Sequence, residues 1–370
     1  MASRLRWRQK MAHLGKTIAQ LAKLRSMHLS NIAPGGHDRL TDLTDFGSNP
    51  GALRARIYVP ERLAREPALV VVLHGCTQDA ASYDRGSGWS QLADDHGFAL
   101  LFPEQQRANN PNLCFNWFSS TDARRDGGEA SSIRHMVATV TAQHDIDPSR
   151  VFVTGLSAGG AMASIMLAAY PEVFAGGAII AGLPFGAAHS IPDAFARMRG
   201  TGYPAAAQLA TLVRDASAHD GPWPTVSVWH GSADKTVDPS NAKRIIAQWR
   251  GIHGVADEPA TRDVIDGCAR EFWTDPTGRR VIESYTISGM GHGTPLKTDG
   301  PDACGVSGPY MLDVGISSTR HMARAWGVLQ AEQPMHQQEH SAKAAPEPAR
   351  AKAGVGAIIE DALRLAGLMR

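Results

Sequence analysis

Three residues of this chain have the types and settings that nucleophilic catalysis needs. Ser157 sits in Gly155-Leu156-Ser157-Ala158-Gly159, a G-x-S-x-G pattern. Asp234 ends the run His230-Gly231-Ser232-Ala233-Asp234, and His292 lies among glycines in Gly289-Met290-Gly291-His292-Gly293. A serine hydroxyl is a weak nucleophile until a nearby imidazole accepts its proton. The imidazole needs a carboxylate to fix its tautomer and to stabilise its charged form. The oxyanion formed at an attacked carbonyl needs preorganised N–H donors, each worth about 3 kcal/mol. Such a set implies acyl transfer. The Ala158 backbone N–H is one expected donor. The Cys76 backbone N–H, in His74-Gly75-Cys76-Thr77-Gln78, is the other. The Cys76 thiol lies in a different loop from Ser157, so a backbone role is expected of this residue. Asp238 is the competing carboxylate. It precedes Pro239, a setting that suits a helix cap, so Asp234 is preferred. His74 and His230 are expected to be structural.

Positioning these groups demands particular elements. Val151 to Thr154 is apolar and β-branched and predicts a buried strand; Ala158 to Tyr170, closed by Pro171, predicts a helix. Between them the turn is too sharp for side chains at the glycine positions, and it lifts the Ser157 hydroxyl above the sheet. The helix then aims its free N–H groups at the same place. Further buried strands are predicted at Leu69 to Leu73, Phe98 to Phe102, Ala175 to Ala181 and Thr225 to Trp229, with Val281 to Ile287 alternating. Asn49-Pro50-Gly51 predicts a turn ahead of a strand over Leu53 to Val59. Helices are expected at Trp89 to His96, Glu129 to His144, Asn241 to Arg250 and Ser317 to Leu329. Strands alternating with helices imply a mostly parallel, doubly wound α/β sheet flanked by helices. In such sheets the chemistry gathers at the strands' carboxyl ends, which is where all three candidates fall. The loop from Glu104 to Gly128 holds Cys114-Phe115-Asn116-Trp117-Phe118, whose aromatics either plug the sheet end or line a binding site.

The 370 residues are 43% hydrophobic and 20% charged, enough apolar material for a sizeable core. A net charge of +1 points to no nucleic-acid partner. Cys76, Cys114, Cys268 and Cys304 have no metal-ligand spacing, so no metal is expected; none, one or two disulfides remain open. Val151 to Pro192 carries Glu172 as its one Asp, Glu, Lys or Arg, but its glycines and prolines fit a buried strand–helix–strand rather than a membrane span. Four regions are expected: a basic helical appendage over 1–35, a catalytic domain over 36–330, a flexible linker over 331–353 and an amphipathic helix over 354–370. The appendage holds Arg4, Arg6, Arg8, Lys10, Lys16, Lys23 and Arg25 ahead of the first acidic residue, Asp38. It suits either a docked helix or one that adheres to a granule or lipid surface. The last helix suits packing on its own domain or on a twin subunit in a homodimer. No secretory signal is recognised.

Taken together, Leu73-His74-Gly75-Cys76-Thr77-Gln78, Gly155-Leu156-Ser157-Ala158-Gly159-Gly160, His230-Gly231-Ser232-Ala233-Asp234-Lys235-Thr236-Val237 and the His292 loop resemble the polyhydroxybutyrate (PHB) depolymerase family of esterases, over about residues 40 to 328. The resemblance implies an α/β-hydrolase fold and a cofactor-free serine esterase. It implies Ser157 as nucleophile, Asp234 as acid, His292 as base and Cys76 in the oxyanion loop, with Trp117 and its neighbour Asn116 contacting substrate. The implied substrate is poly(3-hydroxybutyrate) or 3-hydroxyalkanoate oligomers, with feruloyl or acetylxylan esters as the alternative. A granule- or membrane-associated binding protein that keeps the fold without turnover is the non-enzyme alternative. A cytoplasmic or granule-associated location is expected, with secretion left open because many members of that family are secreted.

Overall fold

A computed structural model describes residues 38–329. The expected basic appendage over 1–35, the linker over 331–353 and the helix over 354–370 lie outside the described residues. The strands are β1 (Thr41–Asp42), β2 (Arg54–Tyr58), β3 (Leu69–Leu73), β4 (Ala99–Glu104), β5 (Val151–Leu156), β6 (Gly176–Ile180), β7 (Thr225–Gly231), β8 (Thr261–Ile265), β9 (Cys268–Thr274), β10 (Arg280–Ile287), β11 (Thr294–Leu296) and β12 (Met311–Asp313). The α-helices are α1 (Ala80–Ser87), α2 (Trp89–His96), α3 (Gly128–Gln143), α4 (Ala158–Ala169), α5 (Ile191–Met198), α6 (Ala206–Arg214), α7 (Ser240–His253) and α8 (Ser318–Ala325).

Ten strands form one sheet in the order β1-β2-β4-β3-β5-β6-β7-β10-β9-β8. The six from β4 to β10 run parallel; β2 and β1 at one edge and β9 and β8 at the other are antiparallel to their neighbours. The fold is that of an α/β-hydrolase. Period-2 alternation divides the central strands between two cores. Val71, Leu73, Val153 and Val228 pack with Ile133 of α3, Met162 of α4, Val213 of α6 and Ile245 of α7. Val70, Val72, Phe152 and Trp229 pack on the other face with Tyr83 of α1, Leu92 of α2 and Met322 of α8. Helices therefore cover both faces, which is why β3, β5 and β6 are buried along their whole length.

Register sets the carboxyl ends level. Leu73 pairs with Gly155, Leu156 with Ile180, Ile180 with Trp229, and Gly231 with Ile287. The loops that follow β3, β5, β7 and β10 thus emerge along one rim. The β8–β9 hairpin is absent from the sequence-based prediction, though it carries its own signal. Asp266 and Gly267 take φ of 48° and 75° between Ile265 and Cys268, the two-residue turn that an Asp-Gly pair favours. Among the described residues no helix is long and apolar enough to cross a membrane.

Candidate active site

Ser157 joins β5 to α4 with φ 58° and ψ −115°, a strained conformation for a residue with a side chain. Its N–H donates to Ile180 O at 2.9 Å, which anchors the turn to β6. The neighbouring glycines are required by close approach. A Cβ on Gly155 would lie 2.4 Å from Gly159 backbone, and one on Gly159 would lie 2.3 Å from Leu73 O and 2.5 Å from His74 O. The first turn of α4 therefore rests directly on the loop that carries Cys76.

The loops after β7 and β10 are bonded to each other. Ser232 N–H donates to Ile287 O at 2.9 Å, Ala233 N–H to Met290 O at 3.0 Å, and Gly289 N–H to Ser232 Oγ at 2.9 Å. Only glycine fits at position 231, where a Cβ would fall 2.3 Å from Met290 O. This zipper brings His292 Nδ1 to 2.7 Å from Asp234 Oδ2. Oδ1 of Asp234 accepts the N–H groups of Thr236 (2.8 Å) and Val237 (2.9 Å). Burial opposes the Asp234 charge, but hydrogen bonds from His230 and His292, the nearby imidazole and the Val237 N–H together hold its carboxyl well below the usual range. With Nδ1 facing the carboxylate, Nε2 is the nitrogen of His292 free to act as a base. Asp238 is placed elsewhere: its Oδ1 accepts Ser240 N–H at 2.9 Å, at the start of α7.

The Cys76 loop is tied on several sides. The Cys76 sulfur is bonded to Cys114, so its thiol is not free, while Cys268 and Cys304 are free and buried. Gly75 N–H donates to Gln78 Oε1 at 2.9 Å and Thr77 N–H to Asn112 O at 2.7 Å. The Cys76 N–H between them has no protein acceptor among the described residues. Ala158 N–H, at the first position of α4, has no intrahelical partner by construction. His74 is a strut: its Nδ1 meets Gly75 O at 2.8 Å, Nε2 accepts Gln105 N–H at 3.1 Å, and burial pushes its pKa down.

The disulfide links this loop to the aromatic one. There the structure uses Asn116 internally: its N–H and Nδ2 donate to the two carboxylate oxygens of Glu129, both at 2.8 Å, and its Oδ1 accepts from Asn110 at 2.9 Å. Its side chain ties the loop to α3 instead of pointing amide groups at a ligand. Trp117 is buried to 8% exposure and packs edge-on to Phe118, with ring centroids 5.7 Å apart.

Comparisons to known proteins identify the family. The family model described as "Esterase PHB depolymerase" matches residues 53–272. Poly(3-hydroxyalkanoate) depolymerase C of Paucimonas lemoignei is 44% identical over 78% of this chain and 70% of its own length. The chain belongs to the PHB depolymerase family of esterases. Acetylxylan esterase A of Aspergillus oryzae is 33% identical, over 70% of this chain and 86% of its own. Among solved structures, an acetyl xylan esterase from Aspergillus awamori covers 78% of this chain and 99% of its own, with TM-score 0.66 and 25% identity. This PHB depolymerase-family protein is accordingly a carboxylic ester hydrolase.

Two residues of this family member, Glu129 and Tyr310, carry no functional expectation from the sequence, and a third, His230, was expected there only to be structural. Glu129 opens α3 fully buried; burial pushes its carboxyl up to about 8, against the donors from Asn116 and Gln105. Tyr310 holds φ 63°, an outlier for an aromatic residue, and sets its ring edge-on to His292 with centroids 6.0 Å apart. His230 also reaches Asp234, with Nε2 3.3 Å from Oδ2. Its place four residues before Asp234 was visible in the sequence, but the direction of its ring was not.

Proposed function

We propose that this esterase works through Ser157, His292 and Asp234 and an acyl-enzyme, and that its substrates are 3-hydroxyalkanoate oligomers or the corresponding polyester. Ser157 Oγ attacks the ester carbonyl while His292 Nε2 takes the hydroxyl proton. Asp234 stabilises the imidazolium, and the Cys76 and Ala158 N–H groups receive the oxyanion. The C–O bond then breaks, and the leaving alkoxide takes the proton from His292. Water attacks the acyl-Ser157, its proton passes to His292, and Ser157 leaves reprotonated with release of the acid.

The observation that carries this reading is the 2.7 Å contact between His292 Nδ1 and buried Asp234, on the rim that also bears the strained Ser157 turn. The 44% identical depolymerase favours the polyester class. The acetylxylan esterase likeness favours a second reading, small acetyl esters on a sugar. Hydrolysis of 3-hydroxybutyrate oligomers against acetyl, cinnamate and short aryl esters, with Ser157→Ala as the control, separates the two. A fluorophosphonate probe should label Ser157 at one per chain; active protein that resists labelling would refute the serine mechanism. Attachment of residues 1–35 to a granule or lipid surface belongs to the same proposal, and unchanged pelleting of a 1–30 deletion with such particles would remove it.

A further inference from the structure

Asp234 meets two histidines, and the mechanism above uses one. The second, His230, lies near the end of β7 with its side chain 3% exposed. Its Nε2 is 2.9 Å from Val237 O and 3.3 Å from Asp234 Oδ2. Both neighbours are acceptors, so hydrogen-bond logic assigns the ring proton to Nε2, shared between them. Its Nδ1 is buried and has no hydrogen-bond partner among the described residues. A proton on Nδ1 would be a buried donor with nothing to receive it, so the donor of this ring is assigned to Nε2. A histidine placed only to fill space would carry that bare nitrogen at a cost, and the Nε2–H contacts are what its polar ring contributes.

The contacts form a closed circuit. Val237 N–H holds Asp234 Oδ1, Val237 O holds the His230 N–H, and that N–H faces Asp234 Oδ2. The carboxylate cannot turn about its Cβ–Cγ bond without breaking one of these links. We propose that His230 is a positioning residue for the esterase reaction, which keeps Asp234 aimed at His292 and shares its negative charge. This rests on the triad reading given above. The other titratable groups around the carboxylate are His292 from the β10–β11 loop, with Tyr310 edge-on to it, and Lys235 and Asp238 from the carboxylate's own loop. Asp238 is turned to Ser240 N–H.

Removing the His230 donor has two consequences. Asp234 gains a rotation that points it away from His292, which lowers kcat. That rotation also takes the counter-charge away from His292, so the imidazolium forms less readily and the acid limb of the kcat–pH profile moves to lower pH; the charge that His230 drew off acts on His292 only in the minority still aimed at it. For His230→Leu the expected loss in kcat is roughly 10- to 100-fold, the worth of one hydrogen bond to a charged group, with KM near wild type. His230→Gln, whose amide N–H reaches about where Nε2 does, is expected to restore most of kcat and to return the acid limb towards its wild-type position.

The test is kcat and KM against pH for the full chain and both variants on a short-chain aryl ester, with circular dichroism and thermal melting to establish folding. A folded His230→Leu with an unmoved acid limb overturns the proposal, as does a His230→Gln no better than the leucine variant. Should His230→Leu fail to fold, His230→Asn replaces it: its amide stops short of Oδ2, and an unmoved limb there overturns the proposal equally. Ser157→Ala and Asp234→Asn run alongside. Activity surviving in either refutes the triad itself, whereas their inactivity beside indifferent His230 variants refutes only the role of His230.

Discussion

Replacing Gly159 with alanine tests the whole arrangement at its tightest point. The new Cβ would lie 2.3 Å from Leu73 O, 2.5 Å from His74 O and 2.7 Å from Leu73 C, where real contacts stay above 3.0 Å. These are backbone atoms at the end of β3, a strand paired on both sides, so no side-chain rotation relieves the clash. The start of α4 must instead withdraw by most of an ångström. Every residue of α4 is buried, so the shift compresses packing on its far side. Overpacking of that kind costs about 1–3 kcal/mol, offset by about 1 kcal/mol from the better helix propensity of alanine. The net stability loss is thus modest, at most about 2 kcal/mol. Activity should suffer far more, because Ser157 and the Ala158 N–H move with the helix. Misplacement by about 1 Å is worth roughly 100-fold in rate. Gly160→Ala is the graded control: its nearest neighbours are at 2.9, 3.0 and 3.1 Å, so a few tenths of an ångström suffice and the loss is expected to be roughly tenfold at most. Gly291→Ala, beside His292 but with nothing within 4 Å, should behave like wild type. Urea denaturation and steady-state hydrolysis of a short aryl ester measure both quantities. A Gly159→Ala variant with wild-type turnover and denaturation midpoint would refute the claim that this contact sets the serine's position.

Other perturbations bear on separate links. Asp234→Asn should lower kcat by roughly 10⁴-fold, as expected when a buried carboxylate no longer fixes the imidazole tautomer, whereas Asp238→Asn should cost at most ~1 kcal/mol of stability and leave kcat near wild type. The opposite ranking in paired assays would reassign the acid. Reducing the Cys76–Cys114 bond, whose ends are 38 residues apart, should remove about 4 kcal/mol of stability and lower kcat more than it raises KM, since it frees the loop bearing the Cys76 N–H; melting and kinetics with and without dithiothreitol read this out. Glu129 binds its proton more tightly folded than unfolded, so its contribution to stability is complete below a pH of about 4.5 and is lost as pH rises towards about 8. Glu129→Gln should flatten that part of the melting-temperature profile, and a slope identical to wild type would discount the buried carboxyl as its source.

Much of the site is local in sequence and was legible there. The strand Val151–Leu156, the Gly155-Leu156-Ser157-Ala158-Gly159 turn and the helix after it are one continuous piece of chain, whose apolar runs and glycines announce a buried strand, a close approach and a helix start. The alternation of strands and helices likewise announced an α/β sheet, and parallel-sheet topology directed attention to the carboxyl ends that bear Ser157, Asp234 and His292. What the chain alone did not reveal are contacts between segments remote in sequence. Four cysteines allow several pairings, and only the meeting of the β3 loop with the aromatic loop joins Cys76 to Cys114. Asn116 was expected to contact substrate, but α3 buries Glu129 against it and takes up its amide. His230 and Asp234 are four residues apart on a strand end and its turn, so spacing could not say that both rings, His230 and His292, face one carboxylate. The division has a physical cause: backbone preference and hydrophobic period are written in consecutive residues, whereas the direction of a buried polar side chain is decided by whichever donor or acceptor the packed neighbours leave unpaired.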